Sequence, residues 1–264
     1  MGALRGRAVA ALVTVLTIPL AYAGRSCEER APTPEAMARG LALAARTSEA
    51  LDATGARVVL IARAGQDLRK YGLRYSHMAY AYRSDSAAPW RVLHALNHCA
   101  TDSSALYRQG LGDFFLDDPW RYEAAWTVPA PDVQERLLAL LADERRATAL
   151  HHQRYSVVAY PWSAKYQQSN QWAVETLAAA MEPAVDSRER AQAWLRLKGY
   201  EPTTLRLGAL TRLGARMTAA NVAFDDHPDE KRFSDRIETT TVDSVFSWLQ
   251  RAGMGAAPQV LTLP

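Results

Sequence analysis

Beyond residue 32 the apolar positions change period along the chain. The first periodic stretch is helical. Thr33 suits an N-cap and Pro34 the first helical position, and Met37, Leu41, Leu43, Ala44 and Leu51 continue the pattern until Gly55 stops it. A β-rich block follows. Residues 57–63 (RVVLIAR) read as a buried strand, 75–82 (YSHMAYAY) as an alternating aromatic strand, 90–96 (WRVLHAL) as its antiparallel neighbour across a turn at 84–89, and 121–128 (RYEAAWTV) as a further strand. Residues 103–119 read as irregular or briefly helical. The second half is mainly helical: 131–146, a strongly amphipathic helix opening at Ser169 and running to 181, 186–198 stopped by Gly199, a helix from about 210, and 243–251. Residues 155–162 read as a strand or extended run, 225–236 as a charged surface loop and 237–242 as a strand. The pattern predicts an α+β protein, with an antiparallel sheet from the first half and packed helices from the second.

Residues 1–23 have a different organisation. Arg5 and Arg7 precede an apolar run over residues 8–20, and Ala21-Tyr22-Ala23 forms a small-x-small triplet. This is the pattern of a cleavable secretory signal peptide, and the run is short of the roughly 20 residues that span a bilayer. The expectation is one globular domain over 24–264, periplasmic or secreted, with no stable membrane insertion after cleavage. The formal charge is +3. The leader's two arginines account for two of these charges, leaving +1, which gives no general pull toward nucleic acid. In an exported protein, two cysteines, Cys27 and Cys99, favour one intramolecular disulfide over two buried thiols or a nucleophilic Cys99.

Three positions suggest chemistry. His77 and His94 lie on neighbouring predicted strands, and a turn centred at 85–86 puts them opposite one another on one face. One can act as a base and the other as its orienting group. Ser169 opens a helix, where the dipole and free N–H groups favour negative charge and can hold an oxyanion. A serine needs a base within hydrogen-bond reach to attack a carbonyl, and His77 is the candidate. The plain reading of Ser169 is an N-cap, and that of a strand histidine a satisfied core residue. Asp225, Asp226, His227, Asp229 and Glu230 carry metal-ligating groups, but their spacing fits no strong motif and a solvated loop is the simpler reading. The sequence has no phosphate-binding glycine loop, HExxH, CxxC or GxSxG, and no cofactor is implied.

The segments ARAGQDLRKYGLRYSHMAY, ALYRQGLGDFFLDD, YSVVAYPWSAKYQQSNQW and NVAFDDHPDEKRF resemble the bacterial family known as domain of unknown function 2145 (DUF2145). That resemblance implies no particular activity. A more distant one does. The order of a strand opening with His77, a neighbouring strand with His94, and a helix opening Ser169-Asn170-Gln171-Trp172 is similar to the circularly permuted NlpC-type papain-like proteins. In those proteins a histidine base, a polar orienting residue and a Cys-x-x-aromatic helix start make up the site. The resemblance implies a papain-like core and an acyl-transfer enzyme (amidase, peptidase or acyltransferase) acting on an unknown envelope substrate. The departure is Ser169 in the place of cysteine, a weaker nucleophile whose pKa lies far above a thiol's roughly 8.5. The alternative is a non-catalytic periplasmic binding or accessory protein on the same fold.

Overall fold

The computed structural model describes residues 32–117 and 119–263. The predicted leader and Cys27, one half of the expected disulfide, lie outside them. Helix α1 (Pro34–Ala53) is capped as expected, with the Thr33 hydroxyl accepting from Ala36 N at 3.1 Å and Gly55 at φ +68° just past its end. Then come β1 (Val58–Ala64), a 3-10 turn (Arg69–Tyr71), β2 (His77–Tyr82), β3 (Arg91–Asn97), β4 (Ser104–Gly110), α2 (Leu111–Leu116), β5 (Arg121–Thr127), α3 (Pro131–Ala142) and α4 (Glu144–Thr148). The remainder is α5 (Ser169–Met181), α6 (Arg188–Leu197), β6 (Thr203–Arg206), α7 (Ala209–Thr218), α8 (Asp229–Phe233), β7 (Arg236–Thr239), α9 (Val242–Arg251) and β8 (Gln259–Thr262).

The fold is α+β around an antiparallel sheet ordered β4-β3-β2-β1-β5-β8. Both of its faces are covered. Val58, Leu60, Ala62, Met78, Tyr80 and Leu93 face α3, α5, α6 and α9. The alternate residues Val59, Ile61, Ala79, Ala81 and Val92 face α1 and α2. Strand β1 is buried along its whole length, which explains why its stretch Val58-Val59-Leu60-Ile61-Ala62 is continuously apolar rather than alternating. A separate ribbon, β6–β7, covers a small cluster of Leu205, Leu207, Val222, Phe224 and Ile237.

Several elements differ from the pattern read in sequence. Residues 104–110, whose sequence reads as irregular or briefly helical, form β4 at the sheet edge, where a strand that is only partly buried needs no apolar alternation. The opposite edge is β8, from the second half of the chain rather than the first. The run 155–162 contains no strand. Tyr155 makes a single parallel bridge to Gln167, and the segment between wraps the start of α5. Helix α5 is not amphipathic: every residue from 169 to 178 is buried. Its polar side chains are satisfied from within. The fully buried Glu175 carboxylate accepts from Arg188 Nε at 2.8 Å, Gln167 Nε2 at 2.6 Å, Gln192 Nε2 at 2.8 Å and Gln171 Nε2 at 3.2 Å. Arg188 also donates to the carbonyls of Ala164 and Tyr166. This network fixes the segment leading into α5, as a buried charge requires.

Candidate active site

His77 opens β2, and His94 sits mid-strand in β3. The β2–β3 register pairs Tyr80 with Leu93, so His94 is level with Ala79 and His77 is its diagonal neighbour rather than directly opposite. Diagonal neighbours share a face, and the two imidazoles meet: His77 Nε2 lies 2.8 Å from His94 Nδ1. His94 Nε2 lies 2.8 Å from Gln109 Oε1 on β4.

The amide oxygen accepts only, so His94 carries its proton on Nε2 and presents a bare Nδ1. His77 must then donate its own Nε2–H to that nitrogen, which leaves His77 Nδ1 unprotonated and without a hydrogen-bond partner among the described residues. Burial drives both rings toward the neutral form. His94 is held down to about 4. His77 lies well below its ordinary value, first through burial, then through the Arg63 guanidinium and His94. Arg63 is the β1 partner of His77 and is anchored to the Phe114 carbonyl and the Asp117 carboxylate. The Phe114 ring closes over both histidines, with centroids at 5.9 and 5.5 Å.

Ser169 is the first residue of α5 but does not cap it. Gln168 is the cap, its side-chain oxygen accepting from Asn170 N at 3.1 Å. Helix α5 packs on the sheet face opposite the histidine pair, but its first turn sits where β2 and β3 part company. Beyond Tyr80–Leu93 the two strands no longer pair, and Asn170 Oδ1 takes the Met78 N–H at 2.9 Å. Ser169 is therefore held next to the residue that bonds to His77's chain neighbour, at the same end of the sheet as the histidines. Its hydroxyl and backbone N–H are near enough to the Tyr155 hydroxyl to favour the charged phenol slightly, but burial is the larger effect and raises the Tyr155 pKa, so the phenol stays neutral.

A cavity of about 1060 Å³ borders these parts. Its walls include Gln109, the partner of His94, and Tyr155, the neighbour of Ser169, together with Leu96, Asp113, Asp117 and Met217. Gln109 and Tyr155 were not singled out as site residues in the sequence. An amide carries no catalytic signature, and Tyr155 sits in an aromatic run that reads as core or as the wall of an apolar pocket.

The loop over residues 225–230 reads from its composition as a solvated surface, but two of its residues turn inward. The Asp226 and His227 side chains are buried. His227 Nδ1 contacts Asp226 Oδ1 at 2.9 Å and Nε2 contacts the Glu238 carbonyl at 2.8 Å, while Asp226 Oδ2 accepts from Tyr160 N at 2.7 Å. Both side chains are committed to holding 160 and 238 together. Among the described residues, no group of three or more His, Cys, Asp or Glu side chains is placed to hold a metal.

The model of a family described as an uncharacterised protein conserved in bacteria, DUF2145, matches residues 50–249. The chain belongs to the DUF2145 family. The match takes in β1 through most of α9, and so every element that builds the histidine pair, Gln109 and Ser169. No curated protein and no solved structure matches the chain. Among its described residues no helix is long and apolar enough to cross a membrane.

Proposed function

We propose that this protein is an exported acyl-transfer enzyme of permuted papain-like design, with Ser169 as nucleophile, His77 as base and His94 as the group that orients His77. The supporting observation is the directed chain Gln109–His94–His77, which leaves His77 Nδ1 bare. In the proposed reaction, Ser169 Oγ attacks a substrate carbonyl as His77 Nδ1 takes the hydroxyl proton. The carbonyl electron pair moves onto oxygen, and the resulting oxyanion accepts from the Ser169 N–H and the Tyr155 hydroxyl, which lie together. Collapse expels the amine or alcohol leaving group, which takes the proton back from His77. The acyl-serine then passes to water or a second nucleophile activated by His77. His94 suits this role because its Nδ1 accepts from His77 Nε2–H in both protonation states of His77. The substrate is a carbonyl compound of the cell envelope, and the chain acts in the periplasm or outside the cell after removal of residues 1–23.

The test is labelling of the purified chain with a fluorophosphonate probe. The expected result is a single adduct on Ser169 that disappears in Ser169→Ala and in His77→Gln, while circular dichroism stays unchanged. Folded protein that takes no label, and whose Ser169→Cys variant is alkylated no faster than a free thiol, overturns the enzyme reading.

A second reading is a non-catalytic binding protein on the same fold. It is favoured by the Tyr155 hydroxyl, which lies near the polar groups of Ser169 and competes with a substrate for them. On that reading Ser169→Ala leaves cell-envelope phenotypes intact, whereas a Ser169→Ala strain that matches a deletion strain at normal protein levels contradicts it.

A further inference from the structure

The outer face of α7 is apolar and uncovered. Leu210 is 85%, Leu213 56% and Met217 78% exposed. At 3.6 residues per turn, Leu213 and Met217 fall within about 60° of Leu210, so the three form one stripe. The opposite side of the helix is its attachment to the body. Ala215 packs on the small cluster beneath β6–β7, and the buried Arg212 donates to the Leu207 carbonyl and pairs with Asp235 at 2.6 Å. Asp235 lies two residues after Phe233, which is 73% exposed at the end of α8. The stripe is thus aimed straight outward, and a second bare apolar residue lies nearby. Contiguous exposure of this kind on a soluble body marks an interaction surface.

The charges of β6 and α7 themselves have one sign. From 203 to 218 the sequence contains three arginines and no acid. Arg206 and Arg236 are directly opposite each other across the β6–β7 ribbon, and both are exposed. Like charges at opposed positions repel. Neither Arg206, Arg236 nor the exposed Arg216 of α7 is in an ion pair among the described residues, whereas Lys231 and Arg232 are neutralised by Glu238 and Asp229. An apolar stripe facing outward, flanked by unpaired arginines, fits a surface that is apolar within and anionic at its rim.

We propose that α7, the β6–β7 ribbon and Phe233 form a docking surface for an anionic lipid bilayer. Leu210, Leu213, Met217 and Phe233 enter the acyl boundary, and Arg206, Arg216 and Arg236 meet headgroup phosphates. Helix α7 lies in the membrane plane and does not span it. Because Met217 also lines the large cavity, docking turns the mouth of that cavity toward the lipid surface.

The test is hydrogen–deuterium exchange of the full chain with and without vesicles of phosphatidylglycerol and phosphatidylcholine. Expected is slowing of exchange by about tenfold over residues 209–218, with protection also over 229–236, which weakens in high salt and is absent with pure phosphatidylcholine. Leu213→Ser/Met217→Ser and Arg206→Gln/Arg236→Gln each abolish it, while exchange in the central sheet stays unchanged. Three results overturn the proposal: no slowing at α7 on any vesicle, slowing confined to residues 1–31, or slowing without lipid that is lost on dilution, which would assign the surface to a second copy of the chain.

Discussion

His77 and His94 share a 2.8 Å hydrogen bond although their strands place them on a diagonal, and Gln109 decides which way that bond points. The two rings are therefore neutral and of defined tautomer. Nitrogen-15 NMR of labelled histidine at pH 7 is expected to show both rings with Nε2 protonated and Nδ1 bare. Gln109→Glu keeps this arrangement and raises the His94 pKa by placing a carboxylate beside it. Gln109→Met removes the acceptor, frees the His94 tautomer and reduces fluorophosphonate labelling of Ser169 by at least about tenfold, the lower end of what positioned acid–base groups contribute.

The same burial gives the protein an acid-sensitive stability. Unfolded histidines titrate near 6.5, and the folded protein holds His94 at about 4 and His77 lower than its ordinary value. Above pH 6.5 both states carry neutral rings and the full stability is present. As pH falls from 6.5 toward 4, the unfolded chain binds protons that the folded one refuses, and stability is lost. At about 1.4 kcal/mol per unit, His94 alone accounts for a loss on the order of 3 kcal/mol across that window. The melting temperature should be flat above pH 7 and fall steadily below 6.5, with a shallower slope in His94→Gln.

Glu175 and Arg188 form a buried pair that stands or falls together. Glu175→Gln leaves Arg188 charged and partly unpaired in the core, so a loss of about 3–5 kcal/mol is expected in urea unfolding. The double change Glu175→Gln/Arg188→Met should cost less than Arg188→Met and Glu175→Gln summed.

Asn170 is the only side chain seen to receive the Met78 N–H among the described residues. Asn170→Leu leaves that buried donor without an acceptor, and a cost of about 1–3 kcal/mol follows. The change should also lower Ser169 labelling, since it loosens α5 from β2. The hydrogen exchange rate of Met78 N–H reads the effect directly.

Chelators should leave the melting temperature unchanged. His227 spends one ring nitrogen on Asp226 and the other on the Glu238 carbonyl. His227→Leu should destabilise the protein with or without chelator, because it leaves the Glu238 carbonyl and one Asp226 oxygen without partners.

The strands that carry His77 and His94 were legible because YSHMAYAY and WRVLHAL combine aromatic and β-branched residues with turn chemistry between them. Their pairing was misplaced by two residues, which keeps both histidines on one face, since the turn residues at 84–89 do not fix where the hairpin centres. Gln109 was not legible. It lies on an edge strand, SALYRQG, whose residues do not alternate, and its role depends entirely on what the fold brings beside it. Burial of α5 was hidden for a related reason. Gln171 and Glu175 read as a solvent face, and only the tertiary arrangement of Arg188, Gln167 and Gln192 makes them interior groups. For Asp226 and His227 the charged composition of their neighbours outweighed the two residues that turn inward.

The contact of Asn170 with Met78 spans 92 positions of sequence, and that of Tyr80 with the Ala173 carbonyl spans 93. Strands β1 to β4, by contrast, pair in sequence order through short connections. Closing the longer loop costs more chain entropy before any contact repays it, so the meander is expected to form early in folding and α5 to dock late. The chain can thus become compact and sheet-rich well before Ser169 and the histidines share one end of the sheet, and competence at the site should appear as a separate, slower phase of refolding.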